Sequence, residues 1–172
     1  MTIKINSIIS NLEDNSPLVI GQQTFSNEIL FDQDLSCAIL GRIHFLNCEF
    51  EEVDFTGSYF GTCIFENCTF QNTIFYKCEF WKYTFQNCQI LECNLTKSYF
   101  NTSIFTNCKF QEVNFIASAL KYCEFTEPKF ENIDLDLGYM IVIDLKVWKS
   151  NKWIEIKDFS SFEKLLRDND SD

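Results

Sequence analysis

The sequence predicts an all-β solenoid, a four-sided prism of very short strands with a small cap at each end. Two observations carry that prediction. Every fifth residue from Phe25 to Leu135 is Phe, Leu or Ile, twenty-three positions without a miss, and sixteen of the nineteen phenylalanines fall on them. Two residues before the central positions the side chain is small: sixteen of twenty between Ala38 and Ile133 are Ala, Cys, Ser, Thr or Val. Side chains recur every ~3.6 residues in a helix and every ~2 in a strand, so a period of five fits neither. A strict short repeat instead means coils that bury their apolar side chains against one another.

Residues 1–22 are the expected N-terminal cap. Ile5, Ile8, Ile9 and Leu12 are spaced like one face of a helix. Met1 to Asn15 has no long apolar run and includes Glu13 and Asp14, so it does not read as a signal peptide. No apolar segment is long enough to span a bilayer. A soluble, cytoplasmic protein is the expectation, with no membrane contact.

Residues 23–142 are the expected β-helix. Residues two apart on an extended segment point the same way, so the large and small positions both face inward. Eight of the nine cysteines occupy the small position: Cys48, Cys63, Cys68, Cys78, Cys88, Cys93, Cys108 and Cys123. A spacing of twenty then aligns Asn27, Asn47, Asn67, Asn87 and Asn107, and beside them Cys48, Cys68, Cys88 and Cys108. Twenty residues is four sides of five, which makes each coil a square. At ~4.8 Å per coil, about six coils give a rod roughly 29 Å long. Phe45, Phe65, Phe85, Phe105 and Phe125 are its expected structural core, stacked along one interior wall. Ile43, Tyr83, Pro128 and Ile133 depart from the small-residue rule. Pro128 lacks a backbone donor and is expected to weaken coil-to-coil bonding near it.

Residues 143–172 are the expected C-terminal cap. Leu145 and Val147, then Ile154 and Ile156, alternate around Ser150-Asn151-Lys152, the pattern of a hairpin. Ser160 with Glu163 reads as a capping box ahead of a short helix carrying Phe162, Leu165 and Leu166. Such a tail can cover the last coil, or join two copies end to end as a homodimer.

The repeat resembles the pentapeptide-repeat protein family, which has a central Leu or Phe and a small residue two positions earlier. Cys48-Glu49-Phe50 and Cys68-Thr69-Phe70 match that pattern, and the match runs through residues 23–142. The resemblance implies a right-handed quadrilateral β-helix. Some members act on DNA gyrase and related topoisomerases as acidic imitators of duplex DNA and confer drug resistance. Others are regulatory and bind other proteins.

The residues themselves point away from catalysis. The cysteine intervals follow the repeat and form no Cys-x2-Cys pair of the kind that builds zinc sites, so they read as small buried packing groups. Cys37 lies outside that register and is the expected exposed thiol. The lone histidine, His44, sits at an outward position and reads as a solvated side chain. No glycine-rich loop suited to phosphate is present. A prism filled by its own side chains offers no ligand cavity, so neither enzyme activity nor a cofactor or metal is expected. The Asn column reads as corner support, since Asn tolerates unusual backbone geometry and stacked amides can bond as a ladder.

Partner binding is therefore sought on the outer walls. The net charge is −11. The wall of Phe50, Phe70, Ile90, Phe110 and Phe130 carries Glu28, Asp32, Glu49, Glu51, Glu52, Glu92, Glu112 and Glu131 against Lys109 and Lys129, a net of −6. The wall of Leu40, Phe60, Phe80, Phe100 and Leu120 is mildly basic and displays Tyr59, Trp81, Tyr99 and Tyr122, residue types that anchor interfaces. B-DNA would hold about 17 phosphates over the same ~29 Å, roughly three times the charge of the acidic wall. The leading expectation is a non-enzymatic scaffold presenting a flat face to another protein. The alternative is an acidic DNA-like modulator of gyrase acting through Glu49, Glu51 and Glu52. Direct binding of nucleic acid is not expected of so acidic a rod.

Overall fold

A computed structural model describes residues 4–13, 16–135 and 140–167. Residues 1–3 and 14–15 of the N-terminal stretch, 136–139 of the repeat and 168–172 of the C-terminal cap lie outside them. The described chain is a four-sided parallel β-helix of about six turns. The first wall is a seven-stranded parallel sheet running from Val19–Gly21 to Ile141–Ile143. The second runs from Thr24–Ser26 to Leu145–Lys149 and ends in one antiparallel strand, Lys152–Ile156. The third has six strands, Ile29–Phe31 to Lys129–Glu131. The fourth is thinner, a ladder of single bridges from Asp34↔Asp54 to Asn114↔Asp134.

Each repeat strand is three residues long, and its central side chain is the buried one. Partners sit twenty residues apart, as in Phe45↔Phe65 and Phe85↔Phe105. On the second wall the rings of Phe25, Phe45, Phe65, Phe85, Phe105 and Phe125 form one unbroken stack, with centroids 4.5 to 5.6 Å apart. Around a coil the same rings meet edge to face, as Phe65 meets Phe70 at 5.0 Å and 86°. The core is thus a herringbone, the arrangement that aromatic quadrupoles favour.

The corners explain the rest of the five-residue rule. The residue two after each central position is left-handed, as at Asn47 (φ 52°), Asn67 (φ 53°) and Lys77 (φ 59°). That conformation costs a residue with a side chain about 1–2 kcal/mol, and Asn less than most. Each corner N–H is tied to the next coil, as Asn47 N–H donates to Glu66 O at 2.9 Å. The amides of Asn47, Asn67, Asn87 and Asn107 each donate to the Asn one coil below, at 3.1 to 3.3 Å. The expected ladder is present. On the fourth wall the corner is a tight turn in which Ser58 N–H donates to Phe55 O at 2.9 Å, and Gly57 (φ 70°) fills its left-handed position.

The small inner residues do more than fit. The Cys63, Cys68 and Cys88 thiols each approach the carbonyl of the central residue one coil back, at 3.4 Å. The Ser58 hydroxyl does the same toward Leu35 O at 2.9 Å. Burial pushes the Cys63 thiol up to about 11 and those of Cys78, Cys93 and Cys123 up to about 12.

Two departures from the rule behave differently from expectation or from their neighbours. Pro128 does not weaken the ladder: Glu127 N–H donates to Trp148 O and Lys129 N–H to Cys108 O, both at 3.0 Å. Coil-to-coil bonds here are carried by the residues flanking the small position, so the missing donor is not needed. Tyr83 is fully buried where a small residue is the rule, packed against Phe60, Phe65, Phe80 and Phe85 at 4.9 to 5.9 Å. The same coil has the smaller Ile90 and Leu95 where the coils on either side have Phe. The Tyr83 hydroxyl has no hydrogen-bond partner.

Both ends carry caps. Helix α1 (Ile5–Ile9) buries Ile5, and its Asn6 amide donates to Ile29 O at 2.9 Å. The C-terminal hairpin turns through Ser150 (φ 53°) and Asn151 (φ 60°), a pair suited to a two-residue turn. Helix α2 (Phe159–Arg167) then places Phe162 and Leu166 against the last coil, with Phe162 edge-on to Phe130 at 6.0 Å. Its cap is Asp158, whose carboxylate accepts from Ser161 N–H at 2.9 Å and Ser161 Oγ–H at 2.7 Å. The expected Ser160–Glu163 box is not the device used, because the helix starts two residues earlier than that box requires.

Candidate interaction surfaces

Because every coil repeats the same backbone, outer side chains form columns running the length of the rod. The first wall has two such columns between its corners. One reads Val19, Ile39, Tyr59, Glu79, Tyr99, Ala119 and Ile141, and the other Gly21, Gly41, Gly61, Trp81, Asn101, Lys121 and Ile143. The face is dominated by apolar and aromatic groups: Val19 is 64% exposed, Ile141 49% and Trp81 37%.

Its aromatic residues are held in place. Trp81 packs on Tyr99 at 5.4 Å, and its indole N–H points to a Glu79 oxygen at 3.4 Å. Tyr99 accepts from the Asn101 amide at 2.8 Å and lies 5.1 Å beneath the Lys121 ammonium. Tyr59 lies across Gly61, where an added Cβ would come within 3.0 Å of its ring. Tyr122 stands at the corner (φ 55°), 53% exposed. The structure therefore brings Tyr59, Trp81 and Tyr99 onto one sheet face and sets Tyr122 at its rim.

Sequence reasoning missed part of this surface. Val19, Ile39 and Ile141 extend it, and the column Gly21, Gly41, Gly61 gives it a bare backbone shelf. The signal was the twenty-residue spacing of those three glycines, the same spacing that aligns the asparagines.

The third wall carries less charge than expected. Glu28 occupies a small inner position and is only 6% exposed, so it belongs to the interior. Without it, seven carboxylates face Lys109 and Lys129 across that wall, a net of −5. Lys109 pairs with Glu131 at 2.9 Å, and the Gln71 amide donates to Glu92 at 2.9 Å. Glu49, Glu51 and Glu52 are exposed and adjacent, close to Asp32, Ile29 and Phe31.

His44 is half-buried rather than solvated, 3.1 Å from the Glu66 carboxylate one coil on. Among the described residues no group of three ligating side chains forms a metal site, and no helix is long and apolar enough to cross a membrane. All nine cysteines are free, with Cys37 the exposed one.

The family model described as "Pentapeptide repeat region" matches residues 58–135. No curated protein matches the chain. Among solved structures, HetL, a pentapeptide repeat protein involved in heterocyst differentiation regulation in the cyanobacterium Nostoc, is 11% identical with a TM-score of 0.48, covering 80% of this chain and 79% of that one. QnrB1, a plasmid-mediated fluoroquinolone resistance protein, is 13% identical with a TM-score of 0.39, covering 70% of this chain and 92% of that one. A pentapeptide repeat protein from the Arabidopsis thaliana thylakoid lumen is 15% identical with a TM-score of 0.25, covering 62% of this chain and 60% of that one.

Proposed function

We propose that this chain, whose residues 58–135 match the pentapeptide repeat family model, works without catalysis, by presenting its first wall to another protein. The observation that carries the reading is the continuity of exposed apolar and aromatic side chains over that sheet. Monomeric proteins rarely leave a large contiguous apolar face open to water. Trp and Tyr held by neighbours lose little further freedom on binding, which suits them as anchors. Between the corners only Glu79 and Lys121 carry charge on the two outer columns, so association through this face should respond weakly to salt.

The test is photocrosslinking in cells that make the protein, with a benzophenone amino acid placed at Trp81, Tyr122 or, on the third wall, Thr69. The expected result is one shared partner captured from Trp81 and Tyr122 but not from Thr69. Equal capture from all three positions, or none from the first two, contradicts the reading.

A second reading rests on Glu49, Glu51 and Glu52, which are exposed and lie together: an acidic DNA-like modulator of gyrase. Its charge is sparse, since a net of −5 on the third wall compares with about 17 phosphates on an equal length of duplex. A supercoiling assay with purified gyrase decides it. Inhibition or protection that disappears when the three glutamates become lysines supports this reading, and no effect at micromolar protein removes it.

A further inference from the structure

The two ends of the rod are chemically opposite. From residue 16 to 66 the surface carries seven carboxylates against Arg42 as its one Lys or Arg. At the other end, residues 145–157 carry Lys146, Lys149, Lys152 and Lys157 against Glu155, a net of +3 in a chain whose total is −11. Each end also exposes apolar groups beside its charges. Ile29 and Phe31, 58% and 54% exposed, pair in register with Glu49 and Glu51 on the third wall, and Asp32 and Glu52 occupy the adjoining corner. On the hairpin, Trp148 and Trp153 face each other across the strands at 5.4 Å, with Trp153 49% exposed.

We propose that these two patches are one interface, in which the Lys/Trp hairpin of one molecule docks on the Ile29–Phe31 and Glu49–Glu52 patch of a second copy of this chain. Three features select that occupant. The charges are complementary in sign. Lys146 and Lys157 share the hairpin face of the two indoles with Glu155, Lys146 lying 3.9 Å from Glu124, and Lys152 stands exposed at the hairpin tip. Asp32, Glu49, Glu51 and Glu52 are exposed on the other surface. The apolar groups are complementary in shape class, two indoles against one aliphatic and one phenyl side chain. The last strand of the hairpin, Lys152–Ile156, is also a sheet edge that pairs on one side only, a position that readily takes another strand.

The contact is heterologous, since the two surfaces differ, so it propagates head to tail rather than closing as a symmetric pair. Its area is bounded by two five-residue strands, below the ~1,200 Å² of stable complexes, so association should be weak and concentration-dependent. It leaves the first wall free and stands or falls independently of the binding role proposed for that face.

The test is sedimentation velocity of the full chain between about 5 and 200 µM, a range that brackets weak association. At low salt the average mass should rise steadily above that of a monomer with no plateau at dimer, and high salt should reverse the rise. Two charge-swapped variants sharpen the test. One carries Glu49→Lys, Glu51→Lys and Glu52→Lys, and the other carries Lys146→Glu, Lys152→Glu and Lys157→Glu. Each alone should stay monomeric, because both of its patches then have the same sign. An equimolar mixture should associate, because both contacts become complementary again, and this rescue also shows that both variants are folded. A monomer at every concentration of the unmodified protein overturns the proposal. So does a dimer plateau that survives either swap, or a mixture that stays monomeric.

Discussion

The interior and exterior of the same strands follow different rules. Inside the second wall, Phe recurs from Phe25 to Phe125 without exception, and the rings stack at 4.5 to 5.6 Å. Outside the first wall, the column beginning Gly21, Gly41, Gly61 continues Trp81, Asn101, Lys121. Stacking at ~4.8 Å narrows the choice inside to large apolar side chains, Phe, Leu and Ile, because a small group there opens a cavity between coils. Nothing in the fold dictates Trp81 over Asn101 on the outside. Irregularity on a regular scaffold is therefore where selection for a partner can be seen.

The contrast can be broken from the inside first. Phe65→Ala should lose about 3–5 kcal/mol in urea unfolding, since the ring touches neighbours above, below and beside it. A loss below about 1 kcal/mol would mean the rings are not packed as described.

The buried thiols supply a pH test. An unfolded cysteine ionises near 9.0, whereas Cys78 in the fold is pushed up to about 12 by burial. Below pH 9 the thiol is neutral in both states and its contribution is complete. As pH rises from about 9 toward 12 the unfolded state releases the proton first, so stability falls. Cys78→Ser should flatten that decline, and serine already fills the equivalent position at Ser58 and Ser98. An unchanged slope would contradict the assignment.

Smaller effects follow at the corners and at the odd coil. Asn67→Ala breaks two ladder bonds and places Ala in a left-handed corner, an expected loss of about 1–2 kcal/mol by urea unfolding. Tyr83→Phe removes a buried hydroxyl that has no partner, so the melting midpoint should rise, by about 1 kcal/mol in stability. Trp81→Ala, on the outer face, should change stability by less than about 0.5 kcal/mol while abolishing partner capture. A large loss there would make Trp81 structural.

How much the sequence revealed follows the same division. The register, the asparagine ladder, the hairpin and the inward thiols were legible because each is a direct consequence of five-residue periodicity or turn chemistry. Glu28 was misplaced because residue type was weighed over register: a carboxylate reads as surface even at an inward position. Pro128 was expected to weaken the ladder because strand rules count every backbone donor, whereas the backbone bonds of a square coil skip that position. The helix cap moved from Ser160 to Asp158 because both residues can cap, and only the approach of the hairpin selects between them. The packing of Tyr83 against Phe60, Phe65, Phe80 and Phe85 needs the coils to be closed and stacked before those residues become neighbours. Of the surfaces, the four aromatic residues were found by type, but their continuity with Val19, Ile39 and Ile141 depends on stacking in space.

The most direct check on the central claim is a thiol titration of the native protein with an aromatic disulfide reagent near neutral pH, repeated in denaturant. A prism filled at intervals of five predicts a single fast-reacting thiol per chain, that of Cys37, with the other eight protected until unfolding. Several fast thiols in the native state would place the small positions on the outside and contradict the account.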